Sequence, residues 1–147
     1  MFILDTNVIS EILRPEPDRS VVSWFESQPR DQLFTTAITQ AEILYGIALL
    51  PNENRREKLS EVAQLIFDED LESRILPFSR EAASHYAVIG SSRRTSGRPI
   101  SQFDTMIAAI AHLHGATIAT RNTSDFDNCA VALVNPWGFR SSVSYSN

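Results

Sequence analysis

The sequence contains one cysteine, Cys129, and one lysine, Lys58, among its 147 residues. A lone cysteine cannot form an intramolecular disulfide, so neither a disulfide framework nor a cysteine-based metal site is expected. No uninterrupted apolar run approaches the roughly 20 residues that a membrane-spanning helix needs. The segment Met1–Asp5 also lacks the basic start and long apolar stretch of a signal peptide, so we expect a cytoplasmic protein without membrane contact.

Basic residues are also outnumbered: 13 Lys and Arg residues stand against 18 Asp and Glu residues, which gives a net charge of −5 at pH 7. The chain therefore has no overall positive field to attract nucleic acid, and any polyanion must be bound by local groups. Arg93, Arg94 and Arg98 lie close together in the sequence, and their guanidinium groups suit phosphate. A solvated helix end is the alternative interpretation of this arginine cluster.

Short apolar segments alternate with helical patterns along the chain. Predicted strands cover residues 2–4, 33–36, 74–78, 117–120 and 131–134. Predicted helices begin near residues 8, 21, 39, 53, 79 and 101, and the last of these is apolar nearly all round. The alternation predicts an α/β fold in which helices cover both faces of a mainly parallel sheet of about five strands. We expect one domain over residues 1–138 and a flexible tail over 139–147.

Four acidic residues follow predicted strands or begin predicted helices: Asp5, Glu42, Asp104 and Asp125. Ligand sites of parallel α/β sheets form at the carboxyl ends of the strands, so all four are expected in one crevice. Converging carboxylates repel one another, and a hard divalent cation such as Mg²⁺ or Mn²⁺ relieves that repulsion. Such an ion can activate a water for the hydrolysis of a phosphodiester.

Each of these acids also has a purely structural interpretation. Asp5 is placed to act as an N-cap, and Asp125 is placed to form an Asx-turn. Thr39-x-x-Glu42 and Ser101-x-x-Asp104 have the spacing of a capping box or a close variant of it. The functional hypothesis therefore depends on all four acids converging. Because helix N-termini favour negative charge, we expect the acids to be ionised at neutral pH.

Four ordered motifs carry a resemblance to a known family. They are Phe2-Ile3-Leu4-Asp5-Thr6-Asn7-Val8-Ile9-Ser10, Ile38-Thr39-Gln40-Ala41-Glu42-Ile43-Leu44-Tyr45-Gly46, Phe103-Asp104-Thr105-Met106-Ile107-Ala108-Ala109 and Ala119-Thr120-Arg121-Asn122-Thr123-Ser124-Asp125-Phe126. Together they resemble PIN-domain proteins, in particular the VapC and FitB-like toxins of bacterial toxin–antitoxin pairs. The later Asn135-Pro136-Trp137 resembles the FitB-like branch. The resemblance covers nearly the whole chain.

The resemblance implies a three-layer α/β/α PIN fold and a Mg²⁺-dependent endoribonuclease, with Mn²⁺ able to substitute. It also implies a cognate antitoxin that occludes the site, a homodimer, and a toxin–antitoxin hetero-oligomer. By position, Asp5 and Asp104 match the family's principal metal ligands, and Glu42 matches its second acidic position. The fourth position is left open between Asn122 and Asp125.

Neighbouring polar residues have supporting roles in the same hypothesis. Thr6 and Asn7 are predicted to orient Asp5 by hydrogen bonding, and Thr120 is a further candidate for such a role or for the fourth position. The acids would hold the ion and its hydration shell, and a water activated by the metal would attack the RNA phosphate. The candidate RNA-binding residues are Arg93, Arg94, Arg98 and Arg121.

Other residues with reactive or aromatic side chains are interpreted as structural. His112 and His114 are two positions apart and cannot form an i, i+4 metal pair on one helix face. We assign the same structural role to His85. Trp24, Phe25 and Trp137 are able to stack nucleobases, but apolar packing is the commoner explanation of such residues.

Two other functions fit the same residues. One is a catalytically inactive PIN-fold module that binds nucleic acid or a partner. The intact Asp5, Glu42 and Asp104 argue against it, whereas the ambiguous fourth position argues for it. The other is a metal-dependent DNA nuclease, because only the family resemblance favours RNA over DNA.

Overall fold

The computed structural model describes residues 1–141, within which five strands and six α-helices form. The strands are β1 (Phe2–Leu4), β2 (Leu33–Thr36), β3 (Ile75–Leu76), β4 (Thr117–Ala119) and β5 (Ala132–Val134). The helices are α1 (Thr6–Ile12), α2 (Arg19–Ser27), α3 (Ala37–Ala48), α4 (Glu53–Leu65), α5 (Arg80–Thr95) and α6 (Gln102–His114). Every strand is short, apolar or β-branched, and followed by a helix or a turn, as expected of a parallel sheet.

The five strands form one parallel sheet in the order β3-β2-β1-β4-β5. The central strand is β1, in which Phe2 pairs with Leu33 of β2 on one side and with Thr117 of β4 on the other. The predicted α/β fold with a parallel sheet of about five strands is confirmed. Because all strands run the same way, their carboxyl ends share one edge of the sheet.

Alternation of side chains along β1 divides the core into two parts. Leu4 packs with residues of α1, α2, α3 and α4 on one face of the sheet. Ile3 packs with residues of α5 and α6 on the other face, where Ile107 and Ile110 of α6 are fully buried. Successive strand residues point to opposite faces, so the tripeptide Phe2–Leu4 can serve both halves of the core. The outcome is three layers, with the sheet in the middle and α6 central, as predicted.

The start of α3 differs from the predicted one. The helix begins at Ala37, and its N-cap is Thr36, whose Oγ1 accepts a hydrogen bond from the Thr39 backbone N at 3.1 Å. Thr39 is therefore buried inside the first turn, and the interpretation of Thr39-x-x-Glu42 as a capping box is wrong. No loop separates β2 from α3, so the N-cap Thr36 is also the last residue of the strand. The sequence pattern of β-branched residues therefore does not reveal where the helix begins.

The aromatic residues on α2 are core residues. Trp24 is buried and meets Phe2 edge-to-face at a centroid distance of 5.2 Å, and Phe25 packs against the same cluster. Phe139 also packs there, so the first residue of the predicted tail is attached to the core. Residues 142–147 lie outside the described residues. Along residues 1–141, no helix combines the length and the apolar character needed to cross a bilayer.

Candidate active site

A cavity of about 530 Å³ opens at the carboxyl ends of β1 and β4. Asp5, Glu42 and Asp104 all line its wall. These residues are far apart in sequence and belong to the N-terminal halves of three different helices, so their convergence is produced by the parallel sheet. The other lining residues are Thr6, Asn7, Ser10, Glu11, Arg14, Arg121, Asn122 and Trp137.

Asp5 is the most buried of the three acids, with 5% of its surface exposed. It follows β1 in an extended conformation and caps α1, so its predicted N-cap role is confirmed. Its Oδ1 accepts a hydrogen bond from the Thr6 backbone N at 2.8 Å. Its Oδ2 accepts one from Thr120 Oγ1 at 2.8 Å and a longer one from Asn7 Nδ2 at 3.5 Å. The carboxylate is therefore fixed from two chain segments, β1–α1 and the end of β4.

Asn7 and Thr120 are themselves held in place. Asn7 Nδ2 donates to Thr120 Oγ1 at 3.2 Å, and Asn7 Oδ1 accepts from the Arg121 backbone N at 3.3 Å. Thr120 Oγ1 also accepts from the Asn122 backbone N at 3.1 Å. The hydrogen bonds predicted for Asn7 and Thr120 are present, and they join the loop after β4 to the first turn of α1.

Glu42 is oriented by Thr6, whose hydroxyl donates to Glu42 Oε1 at 3.0 Å. The Thr6 hydroxyl lies 3.2 Å from Thr39 Oγ1. Because the Thr6 proton is used on Glu42, Thr39 is the donor in this second bond. Thr6 thus holds Asp5 through its backbone and Glu42 through its side chain, which ties the first two acids together.

Asp104 lies in the first turn of α6. Ser101 is the N-cap of this helix and accepts a hydrogen bond from the Asp104 backbone N at 3.2 Å. The capping interpretation of this motif is therefore confirmed for Ser101. The Asp104 carboxylate nevertheless lines the cavity. Structural and functional interpretations coexist here because the backbone satisfies the cap and leaves the carboxylate for the cavity.

The pKa values of the three acids are raised, whereas the helix dipole alone would lower them. Burial raises the pKa of Asp5 to about 6, and the charges of Asp104 and Glu42 add to this effect. Burial also raises the pKa of Glu42, with a contribution from Asp104. Burial and the charge of Asp125 raise the pKa of Asp104. Loss of water around the carboxylates outweighs the helix N-termini, and a bound cation would reverse this penalty.

The raised pKa of Asp5 predicts a pH-dependent stability. In EDTA, between its ordinary value of 3.8 and about 6, the folded protein holds a proton on Asp5 that the unfolded chain has lost. Stability is therefore lost as pH rises through this window, by up to about 3 kcal/mol. The Asp5→Asn variant has no group at position 5 that titrates in this pH window. Its free energy of unfolding minus that of wild type should therefore increase from pH 4.5 to pH 7.5. Urea unfolding at both pH values measures this, and parallel pH profiles would contradict it.

The expected convergence is wrong for the fourth acid. Asp125 is exposed in a 3₁₀ turn, Thr123–Phe126, and does not line the cavity. Its backbone N bonds to Asn122 O at 3.0 Å, and no side-chain Asx-turn bond is formed within the described residues. Asn122 does line the cavity. In the loop after β4, Asn122 therefore lines the cavity wall, whereas Asp125 does not. The charge of Asp125 still raises the pKa of Asp104.

The predicted RNA-binding role of Arg93 is wrong. Its side chain is only 5% exposed, which removes it from any nucleic acid. Its Nε donates to Arg98 O at 2.7 Å, and its Nη1 donates to Asp125 O at 3.1 Å and to Asp127 O. Arg93 therefore fastens the loop after β4 to the end of α5. Arg94 is exposed, and Arg98 lies 3.6 Å from the Asp127 carboxylate.

Among the four predicted RNA-binding arginines, Arg121 is the one that lines the cavity. Its guanidinium carbon lies 5.2 Å from the ring centroid of Trp137, within the range of a cation–π contact. Trp137 packs against the core on its other side, and its backbone N bonds to Asn135 Oδ1 at 3.0 Å. Trp137 is thus both a packing residue, as predicted, and a rigid support for a cation at the cavity wall.

Two further charged residues of the wall were not found from the sequence. Glu11 is buried, lies 3.3 Å from Arg14, and accepts the Asp18 backbone N at 2.9 Å. Asn7, Glu11 and Arg14 recur at spacings of three to four residues, so they follow one face of α1 and its continuation. This spacing from Asn7 is the feature of the sequence that could have indicated Glu11 and Arg14 as residues of the cavity wall.

The donor atoms of the cavity suit a hard cation. Asp5, Asp104, Glu42 and Asn122, whose side chains carry carboxylate or amide oxygens, line it, without cysteine or histidine. In residues 1–141, no three acidic, His or Cys side chains are close enough to enclose an ion by themselves. A Mg²⁺-type ion fits such a wall because it retains several waters between widely spaced ligands.

Comparisons with known proteins agree with this fold. Residues 2–131 match the PIN domain family. The VapC ribonuclease Y4jK of Sinorhizobium fredii is 40% identical over 93% of this chain and 98% of the relative. Toxin FitB of Neisseria gonorrhoeae is 43% identical over 93% of this chain and 99% of the relative. The crystal structure of FitAcB from Neisseria gonorrhoeae superposes with a TM-score of 0.89 at 42% identity, covering 95% of this chain and 100% of that one. This chain therefore belongs to the PIN-domain family, in the group that contains VapC ribonucleases and FitB toxins.

Proposed function

We propose that this protein is the toxin of a type II toxin–antitoxin pair and a metal-dependent endoribonuclease that hydrolyses RNA phosphodiester bonds. The observation that carries the proposal is the single cavity in which Asp5, Glu42 and Asp104 meet at the carboxyl edge of the sheet. Relatives that span the same fold at 40% and 43% identity are a ribonuclease and a toxin by name. An RNA substrate and an antitoxin partner place its action in the cytoplasm.

Mg²⁺ is the ion that we assign to the cavity, with Mn²⁺ as a substitute. PIN-domain ribonucleases generally depend on a divalent metal ion. Asp5 and Asp104 would hold the ion, while Glu42 and Asn122 would position its water ligands. When bound, the ion supplies an activated water and neutralises charge that develops on the phosphate.

The chain's own contribution is to keep these groups in fixed positions. Thr120 and the Thr6 backbone orient both oxygens of Asp5, and the Thr6 hydroxyl orients Glu42. Ser101 fixes the turn from which Asp104 projects. Carboxylates fixed in this way do not have to reorganise when charge develops, which lowers the barrier of the reaction.

Cleavage of cellular RNA tests the proposal. Purified antitoxin-free protein is incubated with total RNA in Mg²⁺ or Mn²⁺, with and without EDTA, and new 5′ ends are mapped by sequencing. Discrete cuts that disappear in EDTA support the endoribonuclease. Folded protein that binds Mn²⁺ without cutting RNA would favour the inactive binding module, and cutting of DNA alone would favour the DNA nuclease.

Arg121 is proposed to hold the RNA backbone beside the acids. The cavity wall has four acids and two arginines, so a polyanion needs a local cation, and Arg14 is already paired with Glu11. Arg121→Ala should weaken RNA binding about tenfold and lower the salt slope by about one. Arg80→Ala removes an exposed arginine that does not line the cavity and should change neither. Binding isotherms at several salt concentrations measure this, and equal slopes for Arg121→Ala and wild type would exclude the role.

Arg94 and Arg98 stay predictions for RNA contact. Arg94 is exposed beside the loop that Arg93 fastens, and Arg98 faces Asp127 at 3.6 Å. The same isotherms test both residues, because an Ala variant that keeps the full salt slope makes no phosphate contact.

The antitoxin is proposed to lie in a groove of about 940 Å³ between α1, α3 and α4. This groove shares Thr6, Arg14 and Glu42 with the acidic cavity, so a peptide seated there would also block the acids. Its floor is apolar, and Arg55 and Lys58 add positive charge, which suits an apolar segment with acidic residues. Val62→Asp, at a half-exposed floor position, should lower antitoxin affinity, and unchanged affinity would argue against this placement.

Self-association is proposed to use exposed apolar residues. Tyr45 of α3 is 68% exposed, and Leu49, the C-cap residue of this helix, is 64% exposed. Large exposed side chains of this kind are typical of interaction surfaces when they lie together. Light scattering of the antitoxin-free protein tests the predicted homodimer, and a monomer at high concentration would contradict it.

A further inference from the structure

Two histidines meet on the surface between α5 and α6. His85 of α5 and His112 of α6 face each other with their Nδ1 atoms 2.5 Å apart and their ring centroids 4.7 Å apart. Two neutral Nδ1–H groups cannot face each other at this distance, so at least one ring must present a lone pair. The pair joins two helices, so the spacing of histidines within one helix does not reveal it.

The surroundings of the pair favour a borderline cation over a hard one. Both histidines line a cavity of about 320 Å³ whose wall is mainly apolar, with Val88, Ile89 and Ala130, and which contains no carboxylate. Imidazole nitrogen is a good ligand for Zn²⁺, Ni²⁺ and Cu²⁺, whereas Mg²⁺ prefers oxygen. None of the residues of this cavity belongs to the acidic cavity.

We propose that His85 and His112 together form a binding site for a divalent transition-metal ion of the Zn²⁺ class. Metal–nitrogen bonds of 2.0–2.1 Å at a tetrahedral angle place the two nitrogens about 3.3 Å apart. The rings therefore have to separate by less than about 1 Å, which two partly exposed side chains can do. The remaining positions belong to water, since no third His, Cys, Asp or Glu joins such a group among residues 1–141.

Cys129 lies in the same cavity but is not a ligand in this proposal. Its Sγ is within 3.6 Å of Arg93 Nη1 and 3.7 Å of Asp127 O, so the thiol is occupied by the loop contacts already described. Burial raises the pKa of this thiol, and the thiol rather than the metal-binding thiolate is present at neutral pH.

The site would join α5 to the helix that carries Asp104. α6 begins at Gln102, with Asp104 in its first turn and His112 near its end. A cation held between His85 and His112 would restrain these two helices relative to one another. This inference is independent of the proposed nuclease function, because neither histidine lines the acidic cavity.

Zinc binding by the full chain, prepared without a histidine tag, tests the site. Zn²⁺ is titrated in competition with a chromophoric chelator, with excess Mg²⁺ present to compete at the oxygen ligands. We expect His85→Ala and His112→Ala each to lower the Zn²⁺ affinity by about tenfold or more. His114→Ala is the matched control, because it removes an exposed histidine two positions from His112 that does not line this cavity.

The proposal fails if wild-type protein binds no Zn²⁺ in this competition. It also fails if His85→Ala and His112→Ala bind Zn²⁺ as tightly as wild type, or if His114→Ala loses as much affinity as they do. Thermal unfolding without zinc should be the same for all four proteins, since the exchanged rings are partly exposed. The zinc-induced rise in the unfolding midpoint should then disappear only in the His85 and His112 variants.

Discussion

Asp5→Asn should reduce the rate of RNA cleavage by on the order of 10²–10³-fold. The amide keeps the size of the side chain and can still accept the hydrogen bond from the Thr6 backbone N. The substitution removes the negative charge that would hold the cation. It also sets an amide against Thr120 Oγ1 and Asn7 Nδ2, which donate hydrogen bonds to Asp5 Oδ2 in the wild-type protein. Both effects act on the Asp5 carboxylate, the most buried of the candidate metal ligands. The loss of cleavage rate should therefore exceed that caused by any other single substitution at the cavity wall.

Single-turnover cleavage of a mapped RNA substrate measures the effect, together with Mn²⁺ binding. Asp68→Asn is the matched control, because it makes the same substitution at an exposed acid outside the cavity and should cleave like wild type. Wild-type cleavage combined with wild-type Mn²⁺ affinity in Asp5→Asn would exclude Asp5 as a metal ligand. Urea unfolding of Asp5→Asn under the assay conditions shows whether the variant is folded, so that lost cleavage by a folded variant can be assigned to the missing charge.

Arg93→Ala should destabilise the protein by about 3 kcal/mol without removing an RNA contact. The guanidinium satisfies the backbone carbonyls of Arg98, Asp125 and Asp127, and it is buried while doing so. Alanine would leave these acceptors without their charged donor and would release the turn Thr123–Phe126 from α5. Urea unfolding measures the loss.

Arg94→Ala provides the adjacent control for Arg93→Ala. Arg94 has the same charge one position later on α5 but is exposed, so its removal should change stability by less than about 0.5 kcal/mol. A stable Arg93→Ala variant with weakened RNA binding would reverse the assignment and restore the sequence-based interpretation.

Sequence alone located three residues of the site because their positions depend on local rules. Asp5 follows an apolar strand, Asp104 lies in the first turn of α6, and Glu42 lies in the second turn of α3. In a parallel sheet such positions must gather at one edge, so the fold class and the convergence of these acids follow from the same pattern.

The errors arose where burial or register is decided by distant chain segments. Arg93 belongs to a cluster of arginines in the sequence, but its partners include the carbonyls of residues 125 and 127, more than 30 positions away. The sequence predicts Asp125 in the cavity, but this residue is exposed in the turn Thr123–Phe126 and does not line the wall. The raised pKa values escaped prediction because helix N-termini are visible in sequence, whereas loss of hydration is not.

The central place of β1 sets the order in which the site can appear during synthesis. β1 is made first, but one of its two neighbours is β4, more than 110 residues later. Asp104 and the Thr120 hydroxyl that fixes Asp5 also belong to this late part of the chain. A growing polypeptide on the ribosome therefore has no assembled acidic site until most of its residues have emerged. Under the proposed function, the chain would gain activity toward RNA only when the final strands join the sheet.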